Sequence, residues 1–145
     1  MLLDASDFPE NTILEQLFSP VPEYPEESAG RSYYFAPDFI LHQVTNWGSV
    51  AAAKRDFNLE VKSAFDVDKY RGPWETPPDL FISSSANNYR ASCGEDDHIY
   101  QCRMVATYGA YSVFFRSWVS VQGITMAKVN ELLQAIDTRM TECIR

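Results

Sequence analysis

The run from Asn87 to Val119 constrains this chain most, because it holds two stretches of β-forming residues joined at Tyr108-Gly109-Ala110-Tyr111. A two-residue connection with glycine in the first central position suits a type II′ hairpin turn, and such a turn fixes the register of the strands it joins. Tyr108 then faces Tyr111, Ala106 faces Val113, Met104 faces Phe115 and Cys102 faces Ser117. Side chains alternate across a strand, so these residues share one sheet face, which is the expected core. The opposite face carries Arg103, Val105, Thr107, Ser112, Phe114, Arg116 and Trp118, with Arg103 directly across from Arg116. Its mixed character predicts partial cover.

Phe39 to Trp47 is also rich in β-formers and ends at Asn46-Trp47-Gly48, after which Ser49 is a candidate helix cap. Val50, Ala53, Phe57, Val61 and Phe65 then recur in steps of three and four, while Lys54, Arg55, Asp56, Glu60 and Lys62 fall mainly on the other side. That is the pattern of a helix lying on a sheet. A second such helix follows Gly123, with Thr125 as cap and Met126, Val129, Leu132, Leu133, Ile136, Met140 and Ile144 as its stripe. Asn130, Glu131, Gln134, Asp137 and Thr138 are expected to stay outside.

With 145 residues and 46% hydrophobic content, the chain has the size of a single domain, 1-145, with a substantial core. The expected class is α+β: an antiparallel sheet of four to six strands packed by two amphipathic helices, Ser49 to Phe65 and Thr125 to Ile144. Thr12 to Phe18 fits a short strand or one helical turn, its length leaning towards the strand. Residues 19 to 38, with Pro20, Pro22, Pro25 and Pro37 among clustered Glu and Ser, read as an irregular surface connector. A second irregular stretch, Asp66 to Asp79, surrounds Trp74 with Gly72, Pro73, Pro77 and Pro78.

The net charge is −8, and no lysine or arginine precedes Arg31. Nucleic acid is therefore an unfavourable partner, since a polyphosphate needs several positive contacts, and anionic lipid is disfavoured by the same field. There is no run of about 18 apolar residues to insert into a membrane. The start lacks the basic and apolar regions of a signal peptide, so Met1 fits a native start of a cytoplasmic protein or the replacement of a removed leader or anchor equally well.

Cys93 and Cys102 bracket Gly94, Glu95, Asp96, Asp97 and His98, which reads as a hairpin tip clamped by a disulfide. A disulfide implies an oxidising compartment, and it leaves Cys143 as the odd thiol, expected to fill apolar space under the sheet. The competing reading makes Cys93, His98 and Cys102 zinc ligands, a set one cysteine short of a knuckle. Glu95, Asp96 and Asp97 lack the ligand spacing of a calcium loop and suit a solvated turn. His42 and His98 are the only histidines, and no nucleophile elbow, phosphate loop or zincin spacing accompanies them. An enzyme would have to use one of them with nearby carboxylates; His42, mid-strand, reads rather as structural. No cofactor is implied.

Arg90, Arg103 and Arg116 alternate onto one sheet face, as an anion-binding patch or as partners for the chain's own carboxylates. Trp47, Trp74 and Trp118, with Tyr33, Tyr34 and Tyr100, fall at strand ends or in loops, where a groove or a partner could use them. The expected ligand or partner surface comprises Trp47, Trp74, Trp118, Tyr100, Arg90, Arg103 and Arg116.

Tyr89-Arg90-Ala91-Ser92-Cys93, the run Cys102 to Val113 and the helical Ile136-Asp137-Thr138-Arg139-Met140 together resemble the C-terminal halves of uncharacterised exported bacterial domains, often lipoproteins. The strand and helix order is similar to the Mog1/PsbP-like layout, an α/β/α sandwich. The resemblance implies a lipid-anchored or periplasmic accessory role and carries no catalytic or ligand residue. The functional expectation is a noncatalytic extracytoplasmic domain that binds a protein or small ligand, with a small enzyme and a zinc-dependent module as alternatives.

Overall fold

A computed structural model describes residues 1–8, 13–20, 27–35, 37–66 and 72–144. In chain order they form β1 (Ile13–Phe18), β2 (Ser28–Phe35), β3 (Asp38–Asn46), α1 (Val50–Ala64), β4 (Asn88–Asp96), β5 (Ile99–Tyr108), β6 (Tyr111–Trp118) and α2 (Met126–Cys143). The six strands make one antiparallel sheet in the order β1-β2-β3-β6-β5-β4. Two meanders are thus joined at their centre: α1 carries the chain from β3 to the far edge, and β6 returns to pair with β3.

The hairpin register is the one the turn dictates, from Tyr108 opposite Tyr111 to Cys102 opposite Ser117. Gly109 supplies the positive φ, 58°, that the turn requires. Ser49 and Thr125 cap α1 and α2, accepting from the backbone N–H of Ala52 and Lys128. The helices lie on opposite faces. Val129, Leu132, Leu133, Ile136 and Met140 of α2 pack on the face of Met104 and Phe115, whereas Phe57, Val61, Ala64 and the following Phe65 pack against Val105 and Phe114.

Residues 19 to 38 contain a strand where a connector was expected. The prolines bracket β2 without entering it, so its ladder is uninterrupted. Its small residues have a packing reason: a Cβ on Gly30 would lie 2.6 Å from the Phe18 ring. The mixed face is also more fully covered than expected over β5, where Arg103, Val105 and Thr107 are buried, and half-buried at Phe114, Arg116 and Trp118.

The N-terminal segment adds cover that the sequence did not suggest. Leu3 and Phe8 are buried on the α2 side, the Tyr33 hydroxyl donates to the Leu3 carbonyl at 2.9 Å, and Phe8 lies against the Tyr33 ring. Arg139 of α2 holds the segment by donating to the Leu2 carbonyl and pairing with Asp4 and Asp7. Among the described residues no helix is long and apolar enough to cross a membrane.

Candidate functional site at the disulfide end of the sheet

Cys93 and Cys102 stand directly opposite each other and are joined as a disulfide. Both sulfurs are thereby bonded to each other and supply no thiolate to a metal. His98 stands on the turn beyond them with 80% of its side chain exposed, and Asp97 and His98 both have positive φ, as a two-residue type I′ turn requires. Among the described residues no group of three or more His, Cys, Asp or Glu could hold a metal ion. Cys143 is exposed on the last turn of α2, not under the sheet, as is the following Ile144.

The acidic tip is tied inward through Arg103, which is 3% exposed. Its Nη2 pairs with Asp96 at 3.1 Å, its Nη1 donates to the Ala64 carbonyl at 2.7 Å, and its Nε donates to Gln101. The same guanidinium lies over the Trp74 ring, 4.6 Å from its centroid. Trp74 in turn meets Phe65 edge-on and leans over Gly94, where a Cβ would lie 2.8 Å from the Pro73 carbonyl. Glu75 exchanges two backbone hydrogen bonds with Cys93, so this segment covers part of the β4 edge. Arg90 stacks on Phe65 from outside.

The expected surface residues therefore do not converge. Arg103 is buried and engaged by its own protein, and Trp74, Arg90 and Phe65 form a packing cluster at the C-terminal end of α1. Trp47 is half-buried near the other end of α1, its Nε1 donating to Ser112. Trp118 is half-buried beside Phe39, over which Arg116 is stacked. Tyr33 is buried. Tyr100 belongs to the other face of the sheet, where with Val119, Val121 and Met126 it lines an open apolar groove of about 300 Å³. Tyr100 is 43% exposed and Val121 96% exposed, and the Val119 N–H bonds the Tyr100 carbonyl at 2.9 Å. On its other side Tyr100 borders a second depression, walled by Pro73, Pro77 and Pro78.

His42 lies in the core, opposite Phe115. Its Nδ1 accepts the Leu3 N–H at 3.2 Å, and its Nε2 is buried without a partner among the described residues. Burial, helped by the positive charges of the amino terminus, Arg139 and Arg31, lowers its pKa to about 3. His98, by contrast, is exposed on its turn with Nδ1 3.6 Å from the Glu95 carboxylate.

Two anchoring carboxylates escaped sequence reasoning. Asp137, assigned to the outside of α2, accepts from Tyr108 at 2.8 Å and from Ser83, and Asn130 of the same helix bonds the backbone of Asp79 and Phe81. Burial pushes the Tyr108 phenol well above its ordinary range, with Asp137 adding to it. Asp38, buried at the start of β3, accepts from Ser120 and from the Ile124 N–H, and so ties down the turn that leads into α2. Spacing offered no signal for either. Comparison with protein families, curated proteins and solved structures gave no match to this chain.

Proposed function

We propose that this is a noncatalytic binding domain of an oxidising, extracytoplasmic compartment, periplasmic or at a cell surface, which contacts a protein partner through the disulfide end of its sheet. The observation that carries the reading is the groove of Tyr100, Val119, Val121 and Met126, in which Tyr100 and Val121 are exposed. An isolated exposed Val is ordinary, but an exposed aromatic and aliphatic group gathered in one depression is what partner contacts use. The disulfide beneath Tyr100 supports the compartment, because cytosolic thiols are kept reduced. A lipid anchor preceding the domain would suit this role.

The test is site-specific photocrosslinking in the native extracytoplasmic fraction, with the probe at Val121 or, as control, at Leu59, which is 69% exposed on α1. One discrete adduct from Val121 that is absent from Leu59 and weakened by Tyr100→Ala supports the reading. Equal labelling from both positions would sink it.

A further inference from the structure

Tyr100 is the wall between two depressions: the apolar groove towards Val121 and Met126, of about 300 Å³, and a wider one of about 460 Å³ towards Pro73, Pro77 and Pro78. No charged side chain lines the first. The second is lined by Glu75 and Glu95 and, among the described residues, by no basic one. Glu95 stands directly opposite Tyr100 on the neighbouring strand, so the carboxylate and the ring share one face of the hairpin. Both glutamates are exposed; Glu95 has His98 3.6 Å away, and Glu75 forms no ion pair with a described residue. Lys128, in the first turn of α2, is already paired with Glu131 at 2.9 Å. The seat for a partner is the apolar groove, and the charge beside it selects what can occupy that seat.

We propose that the partner engages this end of the sheet with an extended segment carrying a lysine or arginine and, two residues on, a large aliphatic side chain; this rests on the reading of the Tyr100 groove as the partner contact. Side chains two apart in an extended chain lie on the same side about 7 Å from each other, so they can drop on either side of one aromatic ring. The aliphatic group fills the groove of Val119, Val121 and Met126, and the cation lies in the proline-walled depression beside Glu75, Glu95 and the Tyr100 ring. The reverse placement is disfavoured, because the positive end of the α2 dipole opens into the apolar groove at Thr125 and Met126. Exposed ion pairs add little affinity each, so the glutamates choose the segment more than they hold it. The net charge of −8 acts in the same direction, drawing a basic segment in and repelling an acidic one.

The probe is the peptide acetyl-Gly-Ser-Lys-Ser-Leu-Ser-Gly-amide, titrated into the protein at pH 7.5 while Tyr100 and Val121 NMR signals are followed, with peptides bearing Glu for Lys or Ser for Leu as comparisons. Saturable binding with a Kd of about a millimolar is expected for so short a segment. Either change in the peptide, or Tyr100→Ala in the protein, should weaken it at least tenfold, and Glu75→Gln with Glu95→Gln about fivefold. Both glutamates are exposed, so the double variant is expected to fold, and its thermal midpoint checks this; added salt should weaken the lysine peptide on the unaltered protein as well. Equal binding of the Glu and Lys peptides, unchanged binding by the double variant, or absence of saturation would each overturn the assignment. The Val121 crosslink then decides whether the underlying reading falls too: a discrete adduct weakened by Tyr100→Ala keeps the groove as a contact for a partner of other chemistry, and its absence ends both.

Discussion

Replacing Arg103 tests how the acidic hairpin, the end of α1 and the Trp74 segment are held together. Its guanidinium is almost wholly buried and bonds Asp96, the Ala64 carbonyl and Gln101 while lying over Trp74. Arg103→Met keeps much of the stem packing but strips all three acceptors of their donor. Removing one partner of a buried ion pair costs about 3 to 5 kcal/mol, because the other is left desolvated. Asp96 is a quarter exposed and can recover water, which lowers that part, whereas the Ala64 carbonyl at the buried helix end cannot. Loss of a donor to a buried carbonyl adds about 1 to 3 kcal/mol. The expected total is about 3 kcal/mol, read as a shift in the urea midpoint at unchanged slope. Asp96→Asn should cost about half as much, since the amide oxygen still accepts and two of the arginine's bonds survive. Coupling in the double-mutant cycle should be at least about 1 kcal/mol. A loss below about 1 kcal/mol for Arg103→Met would show that the buried fork holds nothing together.

Two further perturbations probe the rest of the frame. A Cβ on Gly123 would collide with the Asp38 carboxylate, so Gly123→Ala should cost about 2 to 3 kcal/mol, against about 1 for Gly48→Ala, where φ is +69° but the space is open; equal thermal shifts would contradict this. His42 is held neutral to about pH 3, so from pH 6.5 down to 3 the unfolded chain binds a proton that the folded chain refuses, and stability falls with pH by up to about 1.4 kcal/mol per unit. His42→Asn retains an acceptor for Leu3 without titrating and should flatten the loss measured between pH 7 and 5; parallel curves for the two proteins would exclude His42 as its source.

The legible parts of the fold were those in which local chemistry and pattern agree. Gly109 fixed a turn and the turn fixed the β5–β6 register, while the short acidic tip between Cys93 and Cys102 marked the β4–β5 hairpin that puts them opposite each other. Ser49 and Thr125 announced their helices because a cap followed by a stripe is a local signal. β2 stayed hidden because Ser28, Gly30 and Ser32 carry no apolar period, and Gly30 is bare so that the Phe18 ring can lie on it. Leu3 and Phe8 are too few to make a pattern, yet they close the core beside His42. The binding residues were chosen by type, and type says nothing of which strand neighbours which. The crossover through α1, which sends β4 to the far edge, separates Trp74 from Trp118, while alternation along β5 puts Tyr100 on the face opposite Arg103.

That crossover also decides where ligands can reach the sheet. On one face α2, the N-terminal segment and the 79–86 segment together close over the core, which is why its large side chains are almost fully buried. On the other, α1 contacts β4, β5 and β6, and Phe18, Phe39 and Leu41 line an open depression over β1 to β3. A partner meeting the closed face finds an apolar groove where α2 begins, beside Tyr100. A small ligand meeting the other face can enter between α1 and β3, where polar side chains line both walls.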